Sequence, residues 1–291
     1  MKTWPLALAA LLTGCASAPP PANPEFSDSL RYVFASFEGD EADLAFAIRA
    51  LEDAVYTSMD VTASSAADRA LTPEHLTAED IAGLDNPGLP LEEALPVAVA
   101  GISPYGLDAH APIQLLKDQT PVEPYSPEYY DRTFLEGEDC WLDRSCPVLR
   151  THNDLIKDNF LMTVPYEFPK DFRWVNLALP DPGDPDALTA DEAPRWAYLA
   201  RSWITEPAAG DGGDVTIEQF FSMDVWIPRD GRGLLLDEGA DSEGEGLVRV
   251  MSLWSETTFD SISFTDDQVA ATTRAGMDDI FKAADQWIEA Q

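Results

Sequence analysis

Residues 265–288, TDDQVAATTRAGMDDIFKAADQWI, decide the fold that this sequence predicts. Thr265 with Gln268 three residues later forms a capping-box pattern, which marks the start of a helix. Further along, large apolar side chains recur at helical spacing: Met277, Ile280, Phe281, Ala284, Trp287 and Ile288. We therefore expect one long C-terminal helix with a continuous apolar stripe that must pack against another part of the chain.

The segments before this helix have strand character and are separated by turn-rich acidic loops. In one of them Trp196, Tyr198, Ala200 and Ser202 would share one face, as alternation along a strand requires. The expected strands are Val148–His152, Phe160–Phe168, Phe172–Leu179, Trp196–Ile204, Val215–Ile227 and Leu247–Thr258. Successive strands followed by one long helix predict an α+β fold in which a curved antiparallel sheet packs on the C-terminal helix.

The N-terminal half of the chain is less regular. Acids at 40–43 open a predicted helix whose apolar side chains, Leu44, Ile48, Leu51 and Val55, fall at helical spacing. A Pro-rich passage over 60–125 reads as an irregular insertion, in which Leu95–Ile102 and Ile113–Leu116 are either strands or buried turns. Pro127 to Leu135 predicts a short helix, and His75 and His110 are expected at the surface.

Several short motifs between residues 126 and 288 resemble the START-like, or helix-grip, superfamily of lipid and hydrophobe binders. They are Phe168-Pro169-Lys170-Asp171-Phe172-Arg173, Arg201-Ser202-Trp203 leading to Glu206-Pro207, Ser126-Pro127-Glu128-Tyr129-Tyr130, Trp141-Leu142-Asp143 and the terminal helix. The resemblance implies a START-like α+β domain over 126–291 that holds a hydrophobic molecule between sheet and helix. The acidic loops and the passage before residue 126 depart from the family pattern.

The first residues of the chain predict where the protein is located in the cell. Met1-Lys2 and the apolar run from Pro5 to Leu12 form a secretory signal, too short to span a membrane as a helix. Leu12-Thr13-Gly14-Cys15 then resembles the lipobox of bacterial lipoproteins. This implies a signal peptide over 1–14, lipidation of Cys15 and, because Ala16 follows, transfer to the outer membrane. The Pro-rich residues 15–26 would be a tether, and 27–125 the N-terminal helix with its irregular region.

Composition excludes some partners. The chain has 53 acidic and 18 basic residues, a formal net charge of −35, which repels nucleic acid and anionic lipid headgroups. The excess of carboxylates over lysines has two explanations: a salt-tolerant host, or a general need for solubility.

The two cysteines beyond Cys15, Cys140 and Cys146, form an even pair, which predicts a disulfide in an oxidising compartment. A metal site that adds His152 is the alternative, although structural zinc usually has four ligands and tighter cysteine spacing. We expect no cofactor and no metal. The acidic residues Asp181, Asp184, Asp186 and Asp191 could chelate calcium but lack the EF-hand spacing.

No catalytic constellation is evident. The chain has no Gly-x-Ser-x-Gly elbow, no phosphate-binding loop and no dinucleotide fingerprint, and His152 has no evident nucleophile to serve. We therefore predict a lipid-anchored envelope protein that binds a lipid or another hydrophobic molecule without catalysis. The alternative is an accessory lipoprotein whose 60–125 region docks a partner envelope protein. The residues predicted to line a ligand pocket are Trp203, Phe221, Trp226, Trp254, Glu218 and Glu256, with core packing as the competing explanation for the aromatic ones.

Overall fold

A computed structural model describes residues 19–21, 24–58, 60–158, 162–182, 193–210, 212–229, 246–260 and 263–291. Its helices are α1 (Phe26–Ala35), α2 (Glu41–Ser58), α3 (Leu107–His110) and α4 (Asp266–Glu289). Short 3-10 turns lie at Leu91–Glu93, Ala111–Leu115 and Glu138–Cys140. None of the described helices has the length and apolar character that crossing a membrane would require.

The described strands form a single antiparallel sheet, so the predicted α+β class is confirmed. They are β1 (Ala70–Leu71), β2 (Leu95–Ser103), β3 (Tyr130–Glu136), β4 (Val148–Asp158), β5 (Thr163–Asn176), β6 (Trp196–Trp203), β7 (Ala208–Ala209), β8 (Val215–Pro228) and β9 (Leu247–Phe259). Their order is β1-β2-β9-β8-β6-β5-β4-β3, and β7 pairs with β8. The sheet separates two layers of packing, with α1 and α2 on one face and α4 on the other.

The face toward α1 and α2 is an apolar core, called here the packed face. Alternate residues of the strands, such as Leu199, Phe221 and Val225, meet fully buried Phe34 and Leu51 from the helices. Fully burying side chains of this size contributes roughly 1.5–3 kcal/mol each. This layer therefore holds the N-terminal helices firmly against the sheet.

The face toward α4 is called here the groove face. The helix begins at the predicted capping box, in which Thr265 N donates to Gln268 Oε1 (3.0 Å) and Gln268 N donates to Thr265 Oγ1 (3.4 Å). Its C-terminal half is tied to the sheet by buried ion pairs, Arg69 with Asp278 and Arg249 with Asp285. The helix is thus fixed at one end, and the space under its other end forms the site described below.

Gly101 explains how closely α4 approaches strand β2. A Cβ atom at this position would lie 2.7 Å from Arg69 Nη1 and 3.1 Å from the ring of Phe281. Any larger residue would push the helix or the arginine away. The Leu95–Ile102 run, left open between strand and turn by its sequence, is strand β2 within the sheet.

Two local predictions are wrong. Pro127–Leu135 is not a helix, because Tyr130 to Glu136 forms β3 and pairs with β4. Its buried residues Tyr130 and Arg132 alternate with exposed ones, which is a strand period. The separate strands predicted around Pro169 are one strand, β5; the Phe160 end of the first lies outside the described residues. Pro169 lies just beyond the part of β5 that pairs with β6, so its missing N–H group interrupts no pairing there.

Candidate functional site

A groove of about 490 Å³ lies between the N-terminal half of α4 and the sheet. Strand β9 contributes Leu253, Thr257 and Phe259, and the helix contributes Val269, Thr273, Gly276, Met277 and Ile280. Most of the lining is apolar, and the volume falls within the range of 300–1,000 Å³ that is usual for small-molecule sites.

The sequence of α4 explains why the space exists. Residues 269–276 carry small side chains, mainly Ala, Thr and Gly, whereas bulky apolar residues begin at Met277. The bulky residues Met277 and Phe281 pack onto Val97 and Val99 of strand β2. This packing sets the distance between α4 and the sheet. The side chains at 269–276 are too small to fill that distance, so the groove opens beneath them.

The segment before β3 closes one side of the groove. Tyr125 Oη donates to Asp279 Oδ2 at 2.6 Å, which links this segment to α4. The hydrogen bond to Asp279 raises the pKa of Tyr125 to about 12, with burial adding to the effect. The phenol therefore stays protonated and keeps donating across the physiological range.

A smaller pocket of about 100 Å³ continues the groove toward the centre of the sheet, and is called here the inner pocket. The groove and the inner pocket share Lys157, Leu253, Met277 and Ile280. The walls of the inner pocket are much more polar than those of the groove. They include Glu123, Ser126, Tyr130, Lys157, Tyr166, Lys170, Ser202, Ser222 and Asp224.

Lys170 and Asp224 form an ion pair in the wall of the inner pocket, with Lys170 Nζ 2.9 Å from Asp224 Oδ2. The second carboxylate oxygen, Asp224 Oδ1, is buried and has no hydrogen-bond partner among the described residues. Burial raises the pKa of Asp224, and the charge of Lys170 opposes that shift. Because water solvates neither charge well, the mutual attraction of Lys170 and Asp224 holds the pair together.

Three further polar groups of the inner pocket make no hydrogen bond with another side chain in the described part of the chain: Lys157 Nζ, the Glu123 carboxyl and the Tyr166 hydroxyl. The ammonium of Lys157 lies 5.2 Å from the centre of the Tyr125 ring. Burial lowers the pKa of Lys157 and raises that of Glu123 and of Tyr166. Lys157 and Glu123 attract each other through their charges, but neither they nor Tyr166 use their polar atoms in a hydrogen bond with a described side chain, so all three can bind something that enters the pocket.

Arg132 adds a third cation close to the inner pocket. Its guanidinium donates to Asn153 Oδ1 and to the Gln114 carbonyl oxygen, both at 2.8 Å, and lies 5.2 Å from the Phe172 ring centre. Both hydrogen-bond acceptors are neutral. Burial lowers the pKa of Arg132, but an arginine remains charged in proteins.

None of the six residues predicted to line a pocket lies along the groove or the inner pocket. Trp203, Phe221 and Trp254 belong to the packed face, and Trp226 stacks on Tyr198 with 4.4 Å between ring centres. Glu218 accepts a hydrogen bond from Thr258 Oγ1 (2.8 Å), and Glu256 accepts one from Gln219 Nε2 (2.7 Å). The large aromatic residues of the central strands therefore make core contacts.

Cys140 and Cys146 are bonded to each other, with their Cα atoms 5.3 Å apart, which confirms that the pair can form a disulfide. His152 does not join the two cysteines. Its Nε2 contacts Glu167 Oε2 at 2.9 Å on the exposed side of β4. No cluster of metal-binding side chains occurs in the described ranges. Asp181 pairs with Arg49 at 2.5 Å, and Asp184, Asp186 and Asp191 lie outside those ranges.

The expectation that His110 lies at the surface is wrong, because the residue is only 1% exposed. His75 is exposed, and its Nδ1 lies 3.1 Å from the Ala94 carbonyl oxygen. His110 Nε2 lies 2.8 Å from Ser103 Oγ, which itself donates to Asp285 Oδ1 at 2.8 Å. Burial lowers the pKa of His110 to about 3, and the positive charge of Arg249 adds to this.

Ser103, His110 and Asp285 have the composition of a hydrolytic triad but a different order. In a triad the histidine lies between the serine and the acid, whereas here the serine does. Ser103 is fully buried and lines neither the groove nor the inner pocket. The cluster therefore joins α3 and α4 to the end of β2 as a structural network.

A wider hollow of about 800 Å³ lies over α2 and is lined by residues such as Phe26, Phe46, Arg49 and Asp53. It is open and its lining is about as polar as it is apolar. It also borders ranges outside the described residues. The groove under α4 is the better candidate because its lining is mostly apolar and its polar groups converge at one end.

The residues of the inner pocket were missed by sequence reasoning, although a signal for them existed. Ser222 and Asp224 alternate along β8 with apolar Phe221, Met223 and Val225. Only the position of α4 over that side of the sheet shows that they line a pocket.

Comparisons with known proteins found solved structures of similar shape but no matching family. No family model matches the chain, and no curated protein matches it. Among solved structures it is similar to TTHA0849 from Thermus thermophilus (16% identity, TM-score 0.39), to a conserved protein from Geobacillus kaustophilus (10%, 0.37) and to Ara h 8.0201 (12%, 0.31). Each likeness covers 67% of this chain and 97%, 96% and 98% of the other. The fold class therefore rests on the strand order and helix packing of this chain itself.

Proposed function

We propose that the protein binds a small hydrophobic molecule in the groove between α4 and the sheet, without catalysis. The observation that carries this proposal is an apolar groove of about 490 Å³ that ends in a polar inner pocket. An apolar cavity with a few convergent polar groups is the usual form of a ligand site. The START-like motifs quoted above imply the same class of ligand.

The alternative, docking of a partner through 60–125, has less support. The large hydrophobic side chains that are exposed in the described part of the chain are Tyr129, Leu135 and Leu142. All three lie beyond residue 125, at β3 and the disulfide loop. Strand β2, which belongs to that region, lies within the sheet between β1 and β9.

The groove can be tested with N-phenyl-1-naphthylamine, an uncharged dye that fluoresces in apolar surroundings. The full chain carrying Cys15→Ser avoids an attached acyl chain that could occupy the groove. Thr273→Trp places an indole where a small side chain now faces the groove. Gln286→Trp puts the same group on the exposed side of the same helix and serves as the control.

We expect saturable dye binding that Thr273→Trp weakens at least about tenfold and Gln286→Trp leaves nearly unchanged, since a filled site cannot hold a ligand. Equal dye binding by both variants would refute the proposal. Native mass spectrometry of the purified chain would then show whether a hydrophobic molecule co-purifies and what its mass is.

We also propose that the protein is anchored in the bacterial outer membrane by lipid on Cys15. The support is the order of signal, Leu12-Thr13-Gly14-Cys15 and Pro-rich segment in the sequence; residues 1–18 lie outside the described ranges. Two or more acyl chains anchor stably where one alone binds only marginally. Cells fed radiolabelled palmitate should label the chain but not its Cys15→Ser variant, and equal labelling of both would contradict the anchor.

A further inference from the structure

We propose that the inner pocket recognises a carboxylate, so that the ligand is a single-chain amphiphile with an anionic head and an apolar tail. Lys157 is the residue that would contact the head. This inference rests on the proposed binding in the groove and adds the chemical class of the ligand.

Lys157 is placed where a head group and a tail would meet. Its side chain lines both the groove and the inner pocket. Its ammonium has no hydrogen bond or ion pair with another described residue; it lies 5.2 Å from the centre of the Tyr125 ring, and Glu123 attracts it through charge without contacting it. An ammonium inside a protein is costly unless oppositely charged groups contact it. An incoming carboxylate would supply that contact.

The charge around the inner pocket favours an anion. Lys170 is already neutralised by Asp224, and Arg132 hydrogen-bonds only to neutral oxygens. Of the remaining groups, Glu123 is pushed toward its neutral form by burial, with Lys157 and other cations opposing that shift. The lining itself has two bases, Lys157 and Lys170, and two acids, Glu123 and Asp224, so the nearby guanidinium of Arg132 makes the surroundings of the pocket positive.

This excess is unusual for the chain. The protein carries a formal net charge of −35 and five lysines, of which Lys157 and Lys170 both lie in the inner pocket. If the lysines served only solubility, we would expect them on the surface, where Lys117 lies. Because Asp224 neutralises Lys170, the ammonium of Lys157 with Arg132 nearby is what attracts an anion, and the surrounding protein screens these charges less than water does.

The size of the inner pocket limits the head group. Its volume is about 100 Å³ against about 490 Å³ for the groove, so the inner pocket suits a compact head group such as a carboxylate. The hydroxyl of Tyr166, which has no partner among the described residues, is a second donor for the same head group. The tail would then extend into the apolar groove beneath residues 269–276.

The test compares two ligands that differ only in the head: hexadecanoate and hexadecan-1-ol. Each displaces N-phenyl-1-naphthylamine from the full chain carrying Cys15→Ser, and the ratio of the two dissociation constants is measured. We expect hexadecanoate to bind at least about tenfold more tightly, as charge-assisted hydrogen bonds are the stronger ones.

Lys157→Met should bring this ratio close to one, Lys157→Arg should preserve most of it, and the exposed control Lys117→Met should not change it. A ratio near one in the unaltered protein, or an unchanged ratio in Lys157→Met, would overturn the carboxylate proposal. Absence of dye binding from the unaltered groove would instead overturn the proposed function. Thermal unfolding of each variant shows that it is folded before the ratio is interpreted.

Discussion

On strand β8, Phe221, Met223 and Val225 face α1 and α2, whereas Phe220, Ser222 and Asp224 face α4. The same strands thus build two surfaces of opposite character from alternating sequence positions. The packed face is filled with apolar side chains, and the groove face keeps charges, hydroxyls and a cavity. A sheet that had only to be stable would be filled on both sides, so the groove face is where function should be sought.

The largest expected effect compares the neighbours Phe221 and Phe220. Phe221→Ala should lower the free energy of unfolding by about 4 kcal/mol, because the residue is fully buried and packs edge-on to Phe34. Phe220→Ala should cost about half as much, since its ring is partly buried and borders the inner pocket. Urea unfolding measures both.

For ligand affinity, the order of the two effects should be reversed. Phe220→Ala should change the affinity for hexadecanoate, while Phe221→Ala, on the other side of the sheet, should not. Equal losses of stability together with equal changes in affinity would remove the distinction between the two faces.

The next effect concerns the ion pair of the groove face. Lys170→Met should destabilise the fold by about 3 kcal/mol at pH 7, because it leaves the buried charge of Asp224 without its partner. The double variant Lys170→Met/Asp224→Leu should recover most of that loss, since no buried charge remains. A double variant as unstable as the single one would show that the pair supports packing and not only charge balance. Urea unfolding at pH 7 is the measurement.

The smallest effect is a pH dependence from His110. Its pKa in the folded protein is about 3, against about 6.5 in an unfolded chain. Its contribution is therefore complete above about pH 6.5 and is lost as the pH falls toward 3, because only the unfolded chain takes up the proton. The loss between pH 6.5 and pH 5.5 should be about 1 kcal/mol.

Comparison with His110→Gln isolates this contribution. Burial raises the pKa of Asp285 and of Asp224, so these acids act in the opposite sense and favour the folded state as the pH falls. The difference in unfolding free energy between the two proteins should shrink across this interval. A difference independent of pH would show that His110 has the same pKa in the folded and unfolded states.

The elements of this fold were largely visible in the sequence. The capping box at Thr265, the stripe from Met277 and the alternation in Trp196–Trp203 are local patterns, and each predicts its element without knowledge of the rest. Tyr130–Glu136 was misassigned because its short aromatic run fits a helix as well as a strand, and only pairing with β4 decides.

The site was not predictable in the same way. The sequence by itself determined the C-terminal helix, most of the strands, the cysteine pair and the α+β class, because periodicity and composition act over a few residues. Tertiary structure alone decided which side of each strand became core and which became pocket. That choice depends on the helix laid over each face, and at 269–276 on side chains too small to fill the space beneath them. Lys157 and Asp224 therefore line one pocket only when α4 and the strands come together.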